Sequence, residues 1–344
     1  MPYVKEMPDG RRWVTDKGAR FGLVNGFGPT GRPYIPGTDA RADRFATTGF
    51  FDDAKAGIPR VTNPDLRIAD MDRDGIDAEV IYGILAGTTL MNDPEAAGVM
   101  LQIYNDWLVD FCSHYPDRHI GLGCLPFDNL ELAASEVYRM AKAGLRGVEL
   151  STASTMEPMY SPNYEPMWKA LNETGLPVHF HAFPNMRGGM FQKWSDNPAA
   201  GFTAVVNFPL NLADILVAII GANVFERYPN VRCVFGESGG GWIPYVLGRM
   251  DYEWNQIGKS WGLKMKPSDY YRKHCKATFQ YDTPAIELRH LMGVETLMWG
   301  SDYPHADGVF PDSSEYIETY FGNLAPAEKQ KIVCDNAKEF YGLN

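Results

Sequence analysis

The chain has 344 residues, of which 45% are hydrophobic and 22% charged, a composition typical of a globular enzyme and unlike that of disordered or fibrous proteins. Its 43 acidic and 32 basic residues give a formal net charge of −11, which disfavours nucleic acid as a partner because phosphate would be repelled. No apolar run approaches the roughly 20 residues needed to cross a bilayer, and the first residues contain no apolar signal-peptide core. We therefore expect a cytoplasmic protein that does not bind membranes.

The chain changes character near residue 65. Residues 1–64 are rich in Gly, Pro, Arg and Asp and predict a loop-rich N-terminal arm with one short strand at Arg20–Val24. From residue 65 to residue 344, short apolar runs alternate with amphipathic segments. This alternation predicts a second, larger domain.

Seven strands are predicted in the larger domain, and their residues are 78–84, 120–126, 147–151, 177–181, 231–236, 277–281 and 296–300. Helices are predicted between and after them, at 94–114, 128–144, 163–174, 202–225, 243–254, 284–292, 313–321 and 327–341. Asp128 and Glu131 form a candidate capping box, and Gly144 is expected to end that helix.

Repeated strand–helix units indicate a parallel sheet covered by helices on both faces. Such a sheet is either open and doubly wound or closed into a barrel. The length of the larger domain is close to the roughly 250 residues of a (β/α)8 TIM barrel, so we predict an α/β fold of that type. Because only seven strands are counted, the eighth comes from the N-terminal arm or is absent from this chain.

Three predicted strands end in groups that can bind metal ions. His181, Glu237 and Asp302 each follow an apolar run, and such side chains are rarely buried without a partner. Active sites of barrels lie at these strand ends. His179 and His181 are two residues apart and share one side of a strand, so one is expected to bind metal and the other to contact substrate.

The glycines of the segment GESGGGW lie between a strand and a helix, where phosphate-binding loops also occur. Their spacing matches neither G-x-G-x-x-G nor the P-loop, and the carboxylate of Glu237 would repel phosphate. We interpret the segment as a tight turn that presents Glu237 to the cavity.

The sequence resembles the amidohydrolase superfamily, and within it the group that includes aminocarboxymuconate-semialdehyde decarboxylase and related aromatic-acid decarboxylases and hydrolases. Six segments in order carry the resemblance: DLRIADMDRDGIDAEVIYG, YNDWLVDF, GLPVHFHAF, RYPNVRCVFGESGGGWIPYVLGRMD, LMWGSDYPH and DNAKEFYGLN. The resemblance implies one divalent metal, zinc first and manganese or iron as alternatives. It also implies that His181 and Asp302 are ligands and that Asp302 acts on the metal-bound water.

Two departures from the family are visible. Many members carry a catalytic His where this chain has Glu237, and a carboxylate cannot act as an imidazolium toward a substrate carboxylate. The family also uses an H-x-H or E-x-H pair on its first strand, whereas the first histidine here is His114. We expect that this strand lies upstream of residue 1 or is missing, in which case metal binding is weak or absent.

Further candidates for substrate contacts lie near the same strand ends. They are His305, Arg187, Phe183, Tyr82 and Trp299. The aromatic residues among them, together with Phe180 and Tyr303, either line a pocket for an aromatic ring or fill the barrel.

Three functions follow. The first is a metal-dependent hydrolase that cleaves a C–C, C–N or C–O bond of a small aromatic or carboxylated compound, with Asp302 as base and Glu237 and His179 assisting. The second is a nonoxidative decarboxylase of an aromatic or unsaturated carboxylic acid. The third is a metal-free degenerate barrel that binds a partner. The resemblance also implies a homodimer.

Overall fold

The N-terminal arm contains more regular structure than its sequence predicts. In this computed structural model, residues 3–8, 10–18, 20–23, 34–37, 40–84, 91, 93–152, 156–181, 198–305 and 308–343 are described. The arm begins with a three-stranded antiparallel sheet of β1 (Tyr3–Met7), β2 (Gly10–Val14) and β3 (Arg20–Leu23). Only the third of these strands was expected. The sequence Pro-Asp-Gly at residues 8–10, which ends at the first residue of β2, is a favourable turn combination and accounts for the hairpin.

Two short helices follow in the same arm, α1 (Ala40–Ala46) and α2 (Phe50–Ala56). They contact the loop that follows the last β-strand of the chain. Arg44 donates hydrogen bonds of 3.1 Å to the carbonyl oxygen of Gly308 and 2.6 Å to the hydroxyl of Tyr316. Phe45 packs against Phe310, with ring centroids 5.3 Å apart. The division of the chain at residue 65 stays a prediction.

The main sheet consists of seven parallel strands in the spatial order β10-β9-β8-β7-β6-β5-β4. Each overlaps one of the seven predicted strands. They are β4 (Glu79–Ile81), β5 (His119–Cys124), β6 (Gly147–Ser151), β7 (Val178–His181), β8 (Cys233–Gly236), β9 (Cys275–Phe279) and β10 (Leu297–Trp299). Every residue of β5 to β8 is buried, as expected of strands with helices over one face and a filled barrel on the other.

Helices connect these strands and close the chain. They are α3 (Pro64–Asp74), α4 (Pro94–Ser113), α5 (Leu130–Ala143), α6 (Glu165–Thr174), α7 (Pro198–Asn207), α8 (Asn211–Gly221), α9 (Val224–Arg227), α10 (Ile243–Gln256), α11 (Pro267–His274), α12 (Thr283–Glu287), α13 (Arg289–Met292), α14 (Ser313–Phe321), α15 (Pro326–Gln330) and α16 (Asn336–Tyr341). Within the described ranges, no helix combines the length and the apolar content required to cross a bilayer.

Two predictions about helices are wrong in detail: the N-cap of α5 and the continuity of the helix at 202–225. Asn129, and not Asp128, caps α5, and its side chain accepts a hydrogen bond from the backbone N–H of Leu132. Asp and Asn are equally good N-caps, so the pattern alone could not choose between neighbours. Gly144 ends the helix with a left-handed φ of 88°, as predicted.

The predicted helix at 202–225 is divided into α7, α8 and α9. A turn at Phe208–Leu210 separates the first two, where Pro209 lacks a backbone N–H to donate. Asn223, with a left-handed φ of 57°, separates the last two.

The sheet curls into an incomplete barrel. Among the described residues, no strand pairs with the outer edge of β4 or of β10. The strands β1 to β3 pair with each other and do not join this sheet, so the described part of the N-terminal arm does not supply the eighth strand. The architecture is nevertheless the α/β arrangement of a TIM barrel, and the carboxyl ends of the seven strands meet on one side.

Candidate active site

The ends of β7 and β8 bring His181 and Glu237 into contact. His181 is the last residue of β7 and pairs in register with Gly236, the last residue of β8. Glu237 follows directly, and its Oε2 lies 2.8 Å from Nε2 of His181. The two groups are mostly buried, with 10% and 12% of their side chains exposed.

The loop after β10 adds Asp302 and His305 to this pair. Nδ1 of His305 lies 2.7 Å from Oδ2 of Asp302 and 3.8 Å from Oε1 of Glu237. One ligand atom from each of Glu237, Asp302 and His305 can be chosen so that all lie within 4.8 Å of one another. His305, predicted as a substrate contact, therefore lies in a cluster of side chains of the types that can bind a metal ion.

Both carboxylates sit on unusual backbone. Glu237 has a φ of 48° and Asp302 a φ of 58°. These values lie in the left-handed region, which residues other than glycine seldom adopt. The backbone N–H of Glu237 donates a 2.8 Å hydrogen bond to Oγ1 of Thr278 on β9. Such conformations persist where surrounding contacts hold them, commonly at functional sites.

The glycine turn after Glu237 is held by Asp282, which lies just before α12. Oδ2 of Asp282 accepts hydrogen bonds from the backbone N–H groups of Gly240 and Gly241, at 2.7 and 2.9 Å. These amides are therefore occupied by a carboxylate of the same chain. The turn presents Glu237 and is not arranged as a phosphate cradle.

The charges of the cluster influence one another. Burial raises the pKa of Asp302 to about 6, and the negative charge of Glu237 adds to this effect. Burial also acts to raise the pKa of Glu237, but the hydrogen bond from His181 and the charges of both histidines leave its pKa below the usual value. Burial opposes a charge on His305, yet its contacts with Asp302 and Glu237 raise its pKa.

His179 lies one level deeper in the barrel, on the same side of β7 as His181. Its Nδ1 is 2.8 Å from the hydroxyl of Tyr82, and its Nε2 is 3.0 Å from the hydroxyl of Tyr341. Burial lowers the pKa of His179 to about 3, and the charge of Arg232 adds to the shift, so the ring is neutral. The catalytic role of His179 stays a prediction, with both ring nitrogens bonded to tyrosines.

The other predicted contacts are placed differently. The ring of Tyr82 packs edge-on to that of His181, with centroids 5.6 Å apart. Trp299 ends β10 and donates its indole N–H to the carbonyl oxygen of Gln280. Phe180 is fully buried and stacks on Phe235, so it fills the core instead of lining a pocket. Phe183 and Arg187 lie outside the described residues.

Sequence reasoning missed a buried carboxylate in the barrel. Glu149 on β6 pairs in register with His179 and is 1% exposed. It accepts hydrogen bonds from the backbone N–H of Gly83, at 2.8 Å, and from the hydroxyl of Ser151, at 2.5 Å. The signal was present, because Glu149 is the one charged residue of the strand GVELS.

Imidazole and carboxylate groups are ligands that zinc and manganese accept in proteins. The mouth of the barrel carries two imidazoles and two carboxylates, which belong to His181, His305, Glu237 and Asp302. The donor set therefore fits a divalent cation.

Comparison with known proteins agrees with this chemistry. A family model described as Amidohydrolase matches residues 38–343. A 2-amino-3-carboxymuconate-6-semialdehyde decarboxylase from Dictyostelium discoideum is 26% identical over 287 residues, which cover 82% of this chain and 77% of that protein. A gamma-resorcylate decarboxylase from Polaromonas sp. strain JS666 is 24% identical over 333 residues, which cover 90% of this chain and 99% of that one.

A solved structure is also similar. The 5-carboxyvanillate decarboxylase from Novosphingobium aromaticivorans DSM 12444, complexed with manganese and 4-hydroxy-3-methoxy-5-nitrobenzoic acid, has a TM-score of 0.68 and 25% sequence identity. The similarity covers 85% of this chain and 84% of that one.

Proposed function

The chain belongs to the amidohydrolase family and is an enzyme, and from this premise we propose that it is a metal-dependent nonoxidative decarboxylase of a small aromatic or unsaturated carboxylic acid. The observation that carries the proposal is the cluster of His181, Glu237, Asp302 and His305 at the strand ends. The named relatives support decarboxylation better than the hydrolysis expected first, since they are decarboxylases.

His181 and Asp302 would hold the cation, at the positions that the resemblance implies. When bound, a divalent cation polarises the substrate oxygens that it contacts and stabilises negative charge that develops on them. The similar protein of known structure, the 5-carboxyvanillate decarboxylase, contains manganese. This supports the proposal that the present chain binds a divalent metal. Zinc stays a prediction for this chain.

Nonoxidative decarboxylation needs a proton as well as a cation. The bond between the ring carbon and the carboxylate breaks, its electrons remain on the carbon, and a proton replaces the departing CO₂. Asp302 Oδ2 and His305 Nδ1 share a proton across 2.7 Å at the partly exposed mouth of the barrel. Cation binding at these atoms would release that proton, so in the proposal water at this partly exposed mouth delivers the proton that replaces CO₂.

Product analysis tests the proposal. The protein is purified without chelators, its zinc, manganese and iron are measured, and it is incubated with a panel of hydroxybenzoates and unsaturated dicarboxylates. We expect CO₂ release and, in D₂O, one deuterium at the carbon that lost the carboxylate. Incorporation of ¹⁸O from labelled water without CO₂ release would show a hydrolase instead. A protein without metal that is not activated by any of the three would support the degenerate barrel.

We also propose that the chain forms a homodimer through α7 and α8. Three apolar side chains there are well exposed: Phe202, Val206 and Val217 are 73%, 56% and 43% exposed. Phe202 and Val206 lie one turn apart on α7, and groups of exposed apolar side chains commonly mark protein interfaces. Light scattering coupled to size exclusion tests this, and Phe202→Asp is expected to give a monomer. The cytoplasmic location and the absence of nucleic-acid and membrane partners stay predictions.

A further inference from the structure

Donor atoms from three different strand ends lie close together, and one atom each from Glu237, Asp302 and His305 can be chosen so that all are within 4.8 Å of one another. Nε2 of His181 lies 2.8 Å from Oε2 of Glu237, and Nδ1 of His305 lies 2.7 Å from Oδ2 of Asp302. The two pairs are linked through Glu237, whose Oε1 is 3.8 Å from Nδ1 of His305. Glu237 therefore lies between His181 and His305, and His305 in turn contacts Asp302.

These separations are those of ligands around one ion. Nitrogen and oxygen donors bound at about 2.1 Å lie roughly 3.0 Å apart at adjacent octahedral positions and about 3.4 Å apart in a tetrahedron. The distances of 2.7, 2.8 and 3.8 Å bracket these values. Glu237, Asp302 and His305 therefore need no large movement to surround a cation, and His181 adjoins them through Glu237.

The charge of the cluster also calls for a cation. Glu237 and Asp302 are mostly buried, with 12% and 20% of their side chains exposed. Two neighbouring carboxylates concentrate negative charge, and this attracts a cation. Within the described ranges, their ion pairs are with histidines, which are weak bases compared with Lys or Arg. One divalent ion would balance both carboxylates.

We propose that Glu237 and His305 are themselves ligands of the divalent cation, so that β7, β8 and the β10 loop form a His₂–carboxylate₂ site from described residues alone. This inference rests on the proposed function and adds two residues to the pair that the resemblance implies. It reassigns Glu237 from acid–base chemistry on substrate to metal binding. It also assigns His305 as a ligand of the cation, whereas the sequence predicted that this residue contacts the substrate.

Metal binding to the full-length protein tests the inference directly. Protein freed of metal with a chelator is titrated with Mn²⁺, and free Mn²⁺ is followed by electron paramagnetic resonance. Loss of a group that only contacts a ligand weakens metal binding by about 10–100-fold, so removal of a true ligand should weaken it by more than about 100-fold. We expect such losses for Glu237→Gln and for His305→Gln. The control is Glu149→Gln, a buried carboxylate outside the cluster, which should change the affinity less than about threefold.

A second measurement distinguishes ligation from a structural effect. The visible absorption of bound Co²⁺ reports the number and type of its ligands, and both cluster variants should change that spectrum, whereas Glu149→Gln should not. Urea unfolding of the metal-free proteins shows whether each variant is folded.

The outcomes separate the two proposals. If Asp302→Asn abolishes Mn²⁺ binding while folded Glu237→Gln and His305→Gln proteins bind like the wild type with an unchanged Co²⁺ spectrum, the inference is overturned and the proposed function stands. If the wild-type protein binds neither Mn²⁺, Zn²⁺ nor Co²⁺, both are overturned. If the metal binds as expected and no carboxylic acid loses CO₂, the ligand set stands and the proposed function fails.

Discussion

The guanidinium of Arg67 lies over the ring of Tyr303, 4.8 Å from its centroid, and so connects α3 to the loop after β10. The hydroxyl of Tyr303 donates a 2.7 Å hydrogen bond to Asp70 in the same helix. Arg67 also donates hydrogen bonds of 2.7 and 2.8 Å to Glu79 on β4. These contacts therefore link the loop after β10 to β4, the edge strand on the other side of the incomplete barrel. Tyr303 directly follows Asp302, so they also hold one side of the proposed cation site.

Replacing Tyr303 with Phe tests this bridge. We expect the free energy of unfolding to fall by about 1.5–3 kcal/mol, because a hydrogen bond to a buried carboxylate is lost. Urea unfolding followed by circular dichroism measures the change. Tyr252, which is 56% exposed, provides the control, and Tyr252→Phe should alter stability by less than about 0.5 kcal/mol. Equal stability of the Tyr303→Phe and wild-type proteins would contradict the bridging role.

The two tyrosines on His179 should differ in their effects. Tyr82 contacts the ring of His181, whereas Tyr341 bonds to the opposite nitrogen of His179. Each Tyr→Phe change is expected to cost about 0.5–1.5 kcal/mol of stability through a lost hydrogen bond. Only Tyr82→Leu, compared with Tyr341→Leu, should also weaken Mn²⁺ binding, because it removes the aromatic ring that packs against His181. Calorimetric titration with Mn²⁺ distinguishes them, and equal affinities of the two variants would refute the difference.

Asp282 is predicted to control the position of Glu237 from a distance. Its carboxylate accepts hydrogen bonds from Gly240 and Gly241 and from the backbone N–H of Ala285. In Asp282→Asn an amide NH₂ would face at least one of these donors, which costs about 1–3 kcal/mol for an unsatisfied buried group. Thermal unfolding should show a lower midpoint, and Mn²⁺ titration a weaker affinity. A variant with a lower midpoint but wild-type affinity would show that the turn does not position Glu237.

Stability should depend on the protonation of His274, which is remote from the cluster. Burial lowers its pKa, and the charge of Lys273 adds to this, although its hydrogen bond with the carbonyl oxygen of Val231 opposes the shift. Below about pH 6.5 the unfolded chain takes up a proton at this position that the folded chain resists, so stability falls as the pH decreases. The free energy of unfolding, measured at about pH 7.5 and at about pH 5.5, gives this loss of stability. It should be smaller for His274→Gln, which does not titrate; an equal loss in both proteins would exclude this group.

Removal of metal should destabilise the folded state. Mn²⁺ at about 100 times its dissociation constant adds about 2.7 kcal/mol to the free energy of unfolding when it binds the folded chain alone. We therefore expect chelator-treated protein to unfold at a lower temperature and added Mn²⁺ to restore the midpoint. Mg²⁺, which keeps most of its water ligands and suits imidazole poorly, serves as the control. An identical midpoint with and without Mn²⁺ would argue against a site in the folded protein.

Much of the fold could be predicted because its signals are local. Apolar β-branched runs such as Val178–His181 and capping residues such as Gly144 act within a few neighbours of the chain. The N-terminal hairpin was missed because charged and aromatic residues alternate irregularly there, and its turn residues were attributed to loops. The number of parallel strands was predicted correctly for the described residues. Periodicity alone, however, does not show whether the sheet closes into a barrel.

The sequence by itself determined the order of strands and helices, the turn that presents Glu237, and the His and carboxylate groups at the strand ends. These features depend on side-chain alternation and backbone preferences over short stretches. Only the tertiary structure decided that His305 reaches both Asp302 and Glu237, and that Tyr341 bonds to His179 from 162 residues away. Such contacts form when the curvature and register of the sheet bring distant segments together, and no local pattern specifies that curvature.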